Sequence, residues 1–219
     1  MRNKFDTQLE TLNNDLVAMG ALCEHAIVHA VDGLLNNDPA FAREAIEIEK
    51  ENDRKEREIE SLCLKLLLQQ QPVARDLRLI SSVLKMITDM ERIGDQAADI
   101  AELARFATIS MTHSGDFTRH ISQMSAAVIK MVTGSIDAFV KRDISVAEEV
   151  IACDNTVDGL FTKIKEDLVA LIQKNPAEGG DALEALMVAK YLERIGDHAV
   201  NIAEWVEFSI TGEHRTGAR

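Results

Sequence analysis

Leu9, Leu12, Leu16, Met19, Cys23, Ala26, Ala30 and Leu34 recur every three or four positions, the spacing of one face of an α-helix. The pattern predicts a helix over about 6–36. Asn37-Asp38-Pro39 stops it and starts another, since Asp is a good N-cap and Pro suits the first helical turn. A second helix is predicted over 39–70, Pro72 breaks it, and a third over 73–109 carries Leu77, Ile80, Leu84 and Ile87 on one face. The segment 112–117 (THSGDF) reads as a boundary. A fourth helix is predicted over 117–141, ending at Arg142-Asp143, and a fifth over 144–174. The turn 175–180 (NPAEGG) leads into a sixth over 181–210. Long helices with short turns favour antiparallel packing.

Glu91-Arg92-Ile93-Gly94-Asp95 returns as Glu193-Arg194-Ile195-Gly196-Asp197, and over twelve residues the two copies agree at nine. The chain therefore divides into halves. The expected fold is all-α: six long helices in two tandem, pseudo-symmetric three-helix bundles, over 1–111 and 112–211, with a frayed tail over 212–219.

Polar residues interrupt the apolar stripes at related places. The second helix has no apolar residue over 49–58, between core-like Ile46 and Ile59, and a stripe continued at helical period through that gap lands near Glu49, Asp53 and Glu56. The fifth helix carries the counterparts Asp154 and Asp158. On the third helix the series Leu77, Leu84 continues to Glu91, Asp95 and Asp99; on the sixth the corresponding residues are Glu193, Asp197 and Asn201. Folding the second and third helices about Pro72 sets Glu91 opposite Asp53 and Asp95 opposite Glu49. Folding about Asn175-Pro176 sets Glu193 opposite Asp158 and Asp197 opposite Asp154.

Four carboxylates are thus expected to converge in each hairpin. They repel unless protonated, paired with bases or bound to a cation. All-oxygen donors suit Mg²⁺, Ca²⁺ or Mn²⁺, and bridging carboxylates also suit clustered iron or zinc. The other reading is a solvated face with interhelical salt bridges to Lys50, Arg54, Arg92 or Arg194. Gly94 and Gly196, each costly in mid-helix, point to close approach of another helix or a ligand.

Composition narrows the partners. Hydrophobic residues make up 46% and aromatic ones 4%, with three prolines, which suits a helical core. A formal charge of −13 argues against nucleic acid as the main partner and fits cations or basic protein patches. No apolar run approaches the ~20 residues that cross a membrane, and no leader is expected. Cys23, Cys63 and Cys153 are scattered among helical patterns, as in a reducing cytosol, with Cys63 and Cys153 read as small buried residues. His25, His29, His113, His120 and His214 read as surface residues, and His198 points away from its neighbour Asp197. Di-iron bundle enzymes supply Glu-x-x-His pairs, and no acid here has a histidine three residues on, so an enzyme is not expected. Arg75 and Arg78, in the first turn after Pro72, are candidates for partner binding.

Together, QQPVARDLR (70–78), ERIGDQAADIAE (91–102), LERIGDHAVNIAE (192–204) and the paired EKEND (49–53) and DNTVD (154–158) resemble the PhoU family of bacterial and archaeal phosphate-transport accessory and signalling proteins. The resemblance covers nearly the whole chain. It implies two three-helix repeats, usually dimeric, with acid-lined sites for multinuclear iron or zinc clusters, or Mg²⁺ or Mn²⁺. The family's acidic motifs fall on Glu49, Asp53, Glu91, Asp95, Asp154, Asp158, Glu193 and Asp197; Asp99 departs, where family copies often have Asn, as Asn201 is in the second repeat. The implied role is a cytoplasmic, non-enzymatic negative regulator. It would link the ATPase subunit of a phosphate ABC transporter to a sensor histidine kinase at the inner membrane face. The alternatives are a carboxylate-bridged metal-dependent enzyme and a metal-binding scaffold of another pathway.

Overall fold

The computed structural model describes residues 2–70, 73–106 and 115–215. Its helices are α1 (Arg2–Asn36), α2 (Pro39–Gln70), α3 (Ala74–Phe106), α4 (Gly115–Lys141), α5 (Ile144–Lys174) and α6 (Gly179–Thr211), with a 3₁₀ turn over Pro176–Glu178. No strand occurs among the described residues. The turn at Pro72, His113 and half of the expected boundary segment lie outside them, while 115–117 open α4.

The α1–α2 and α4–α5 corners use the same chemistry. Asn37 and Arg142 take left-handed φ values of 53° and 55°. Asp38 then accepts from the Ala40 N–H at 2.8 Å, and Asp143 from the Ser145 N–H at 2.9 Å. Each carboxylate satisfies a backbone donor that the helix start would otherwise leave open.

Each half is a three-helix bundle, and the halves join through α3 against α6 and α1 against α4. One buried cluster runs from Leu12 through Ile93 and Val132 to Val206, so both bundles share a core. Contrary to the sequence expectation, α1 is long and apolar enough over Thr7–Asn36 to pass for a membrane span by length and composition. Its Leu12, Leu16, Met19, Cys23, Ala26 and Ala30 are fully buried, because α1 packs against α2, α3 and α4.

A second correction concerns α2. Its buried stripe through the polar stretch runs Ala45, Asn52, Ile59, Leu66, at seven-residue spacing, with Asn52 only 1% exposed. Glu49, Asp53 and Glu56 flank that stripe as half-buried residues. The charges thus sit at the margin of the core, where water still solvates them, and the one uncharged residue of the stretch goes inside.

The tail expected to fray is in part packed. Gly212, at φ 81°, closes α6 by donating its N–H to the Phe208 carbonyl at 2.8 Å. His214 then stacks on Phe208 with ring centroids 4.0 Å apart, and Arg215 pairs with Glu207 at 3.2 Å. Two other histidines expected at the surface are also engaged between helices. His29 Nδ1 lies 3.1 Å from Glu44, and His120 Nδ1 lies 3.0 Å from Asp167. Cys63 is buried, which pushes its thiol up to about 12, whereas Cys153 is only partly buried.

Candidate metal centre

In the first repeat, α2 and α3 lie side by side and bring acids from both helices together. One carboxylate oxygen each from Glu49, Asp53 and Asp95 lie within 4.8 Å of one another. Glu91 and Glu56 border the group. Burial raises the Glu91 carboxyl above its ordinary value, and the negative charges of Asp95, Glu56 and Asp53 add to the effect. Glu49 is raised first by burial and then by Asp53, Asp95 and Glu91. Glu56 is raised by burial, Glu60 and Asp53.

The cations nearby do not tie the two helices together. Arg92 pairs with Glu91 at 3.3 Å and Asp95 at 2.9 Å, all on α3; Arg57 pairs with Asp53 at 3.2 Å, both on α2. Lys50 and Arg54 pair with Glu47 and Glu51 on their own helix. Among the described residues, no direct ion pair spans α2 and α3 here; the Arg92 guanidinium acts across the gap only as a longer-range charge that pulls Glu56 down. An all-oxygen donor set from two helices fits a hard divalent cation, or bridged metal ions.

A pH dependence follows. A carboxyl raised in the fold contributes favourably below its unfolded value and loses that contribution as pH rises through its folded value. The chelated protein should therefore be less stable than Glu49→Gln at pH 7, with the gap closing as pH falls to the ordinary 4.5. Thermal melts of both proteins across this range check it; a gap that widens on acidification would contradict the assignment.

Behind the acids lies a buried polar node. The Asn52 side-chain amide donates to the Met90 carbonyl at 3.0 Å, and the Cys23 thiol donates to the same carbonyl at 3.3 Å. Gly94 makes room for it, since a β-carbon there would lie 2.7 Å from Asn52 Nδ2. The related Gly196 faces Val157, and a β-carbon would meet nothing nearer than 3.4 Å. Gly94→Ala should therefore lose about 1–3 kcal/mol by displacing a buried, hydrogen-bonded amide. Gly196→Ala should be neutral or gain up to about 1 kcal/mol from helix propensity. Denaturant melts of the pair decide this; equal effects would refute it.

The second repeat is different. Its Asp154, Asp158, Glu193 and Asp197 form no comparably close group of three ligand atoms among the described residues. Asp158 is exposed, and Glu193 is engaged by the ammonium of Lys190 one turn earlier on α6.

The last members of the acid series turn to the contact between repeats. Asn201 donates its side-chain amide to Asp89 Oδ1 at 3.0 Å, and His198 Nδ1 lies 2.9 Å from the same oxygen. Asp99 is raised by burial, then Asp95 and Glu102, while Arg194 of α6 pulls it down. Of the two arginines, Arg78 packs beside the α6 terminus, where a β-carbon on Gly212 would lie 3.4 Å from its guanidinium. Arg75 is exposed near Arg142, whose guanidinium is lowered by burial and then by Arg75.

Sequence reasoning did not single out Asp89, Asn52 or Lys190. Asn52 carried a signal, being the one uncharged residue in 49–58. Asp89 carried a weaker one, its spacing of three from Met86 on the buried face of α3.

Comparison with known proteins agrees with this architecture. A family model described as the PhoU domain matches twice, over residues 16–104 and 121–206. The chain is 35% identical over 212 residues to a phosphate-specific transport system accessory protein PhoU homolog of Pseudomonas aeruginosa, covering 95% of this chain and 86% of the relative. A homolog of the same description from Clostridium acetobutylicum is 35% identical, covering 97% and 96%. The crystal structure of PhoU from Pseudomonas aeruginosa superposes with a TM-score of 0.87 at 34% identity, covering 95% of this chain and all of that one. The phosphate transport system regulatory protein PhoU of Streptococcus pneumoniae, at 24% identity and TM-score 0.86, shares the fold.

Proposed function

The chain belongs to the PhoU family, and we propose from that premise that it is a negative regulator of phosphate uptake and phosphate-starvation signalling. It acts as a cation-binding adaptor between the ATPase subunit of a phosphate ABC transporter and a sensor histidine kinase. The observation that carries this reading is the double match of the PhoU domain, one copy per bundle, with relatives named as accessory proteins of phosphate-specific transport over nearly the whole chain. The protein works as a homodimer, in the cytoplasm, at the inner membrane face through its partners.

Glu49, Asp53, Glu91 and Asp95 would hold the cation, with Glu56 adding charge at the border. A bound divalent ion, whether Mg²⁺ or Mn²⁺ or part of an iron or zinc cluster, would supply a direct positive bridge between α2 and α3 that no described ion pair provides. Asn52 fixes the height of α3 against α2 through the Met90 carbonyl, adjacent to Glu91. The carboxylates are thereby held on facing helices before any ion arrives. Arg75, exposed at the start of α3, is the arginine available to a partner, whereas Arg78 serves the fold.

The absence of histidine from the carboxylate group, among the described residues, favours an adaptor over a carboxylate-bridged redox enzyme. The reading predicts that deleting the gene leaves phosphate-starvation genes on in high phosphate. A reporter of those genes in the deletion strain measures this, and normal repression would count against the proposal.

A further inference from the structure

The two repeats differ where their acid clusters would bind a cation. Pairing the Glu91 and Glu193 motifs sets Thr88 of α3 against Lys190 of α6. Pairing Asp53 with Asp158 sets Glu56 of α2 against Phe161 of α5. Where the second repeat has an ammonium and a phenyl ring, the first has an exposed hydroxyl bonded to its own helix and an extra carboxylate.

Those two exchanged residues act together. The Lys190 ammonium pairs with Glu193 Oε2 and lies 5.5 Å from the centre of the Phe161 ring. A cation over an aromatic face is attracted by the ring's quadrupole, so Phe161 favours the ammonium where Glu56 would favour a metal ion. Phe161 also removes one carboxylate that its counterpart contributes in the first repeat.

We propose that Lys190 is the built-in cation of the second acid cluster: its ammonium takes the place of a metal ion at Glu193 and confines divalent-cation binding to the first repeat. This rests on the reading that the first cluster binds a cation. Arg92 does not play the same part there. It is about as exposed as Lys190, 53% against 45%, but it pairs with Glu91 and Asp95 along its own helix and leaves the oxygens of Glu49, Asp53 and Asp95 within 4.8 Å of one another across two helices. The related Arg194 is turned toward Asp99. A divalent ion approaching Glu193 must displace a tethered like charge at contact distance, where repulsion is strongest.

The test is a calorimetric titration with Mn²⁺ alone on the full chain, supported by elemental analysis after dialysis. Four proteins are compared: wild type, Lys190→Thr, Lys190→Met, and Lys190→Thr combined with Asp53→Asn/Asp95→Asn. Lys190→Thr installs the first repeat's residue, and Lys190→Met keeps a long stem on Phe161 without the charge. Wild type should show one class of site. Both Lys190 variants should show a second class that wild type lacks, at least ~10-fold tighter than any residual binding at the wild-type second cluster, and the combined variant should keep only that class. A second class already present in wild type with unchanged affinity would overturn the proposal, as would Lys190 variants that titrate like wild type. Should wild type bind no Mn²⁺, the reading of the first cluster fails. The Lys190 variants then decide separately: binding gained there supports the built-in cation, and none overturns it.

Discussion

Removing two acids from the first cluster should make the protein more stable without metal and indifferent to metal. Burial raises Glu49 and Glu91 most and is unchanged in Asp53→Asn/Asp95→Asn, but the further repulsion from Asp53 and Asp95 falls away and each amide keeps nearly the shape of its carboxylate. The chelated variant should therefore melt at or above chelated wild type. Wild type should gain about 2.7 kcal/mol with divalent ion at a hundred times its dissociation constant. For a chain of this size that is a rise of about 5–10 °C. The variant should show no rise. Scanning calorimetry with and without Mn²⁺ checks both statements. A variant that melts well below chelated wild type would mean that these carboxylates stabilise the fold by pairing with bases.

The second large effect concerns the core shared by the two bundles. Ile93 and Ile195 occupy related positions, each fully buried beside its glycine. Truncating either to Ala should cost about 2–5 kcal/mol through lost contacts and the cavity left behind, lowering the melting temperature by roughly 5–15 °C. The buried cluster runs unbroken from α1 to α6, so each variant should unfold in one transition that takes both bundles with it. A first transition confined to the mutated half, followed by a second at the wild-type temperature, would show that the bundles are thermodynamically separate.

Helix number, order and corner chemistry were legible in the sequence because they rest on local signals. Apolar spacing of three and four gave the helices, and Asp38 gave the cap seen at 2.8 Å, which Asp143 repeats at 2.9 Å. Repetition of ERIGD gave the pairing of halves. Side-chain placement around the acids was legible only in part. Spacing alone cannot tell which of Glu49, Asn52, Asp53 and Glu56 faces inward, since a shift of one residue turns a helix by 100°; desolvation decides, and it drives the uncharged Asn52 inside. The asymmetry between clusters depended on Lys190, one turn before the motif and outside the repeated residues. The roles of Asp99 and Asn201 depended on α3 packing against α6, a contact between repeats that hairpin folding does not contain. The α6 terminus read as a tail because its packing relies on ring contacts of His214 rather than on helical period.

Elemental analysis of protein purified without chelators tests the central claim most directly, with the Glu91→Ala/Asp95→Ala variant prepared beside it. The account predicts at least one divalent or iron ion per chain of the wild type, absent from the variant. Wild type that carries no metal, beside a variant as stable or more so, would show that the acids form a solvated, salt-bridged face.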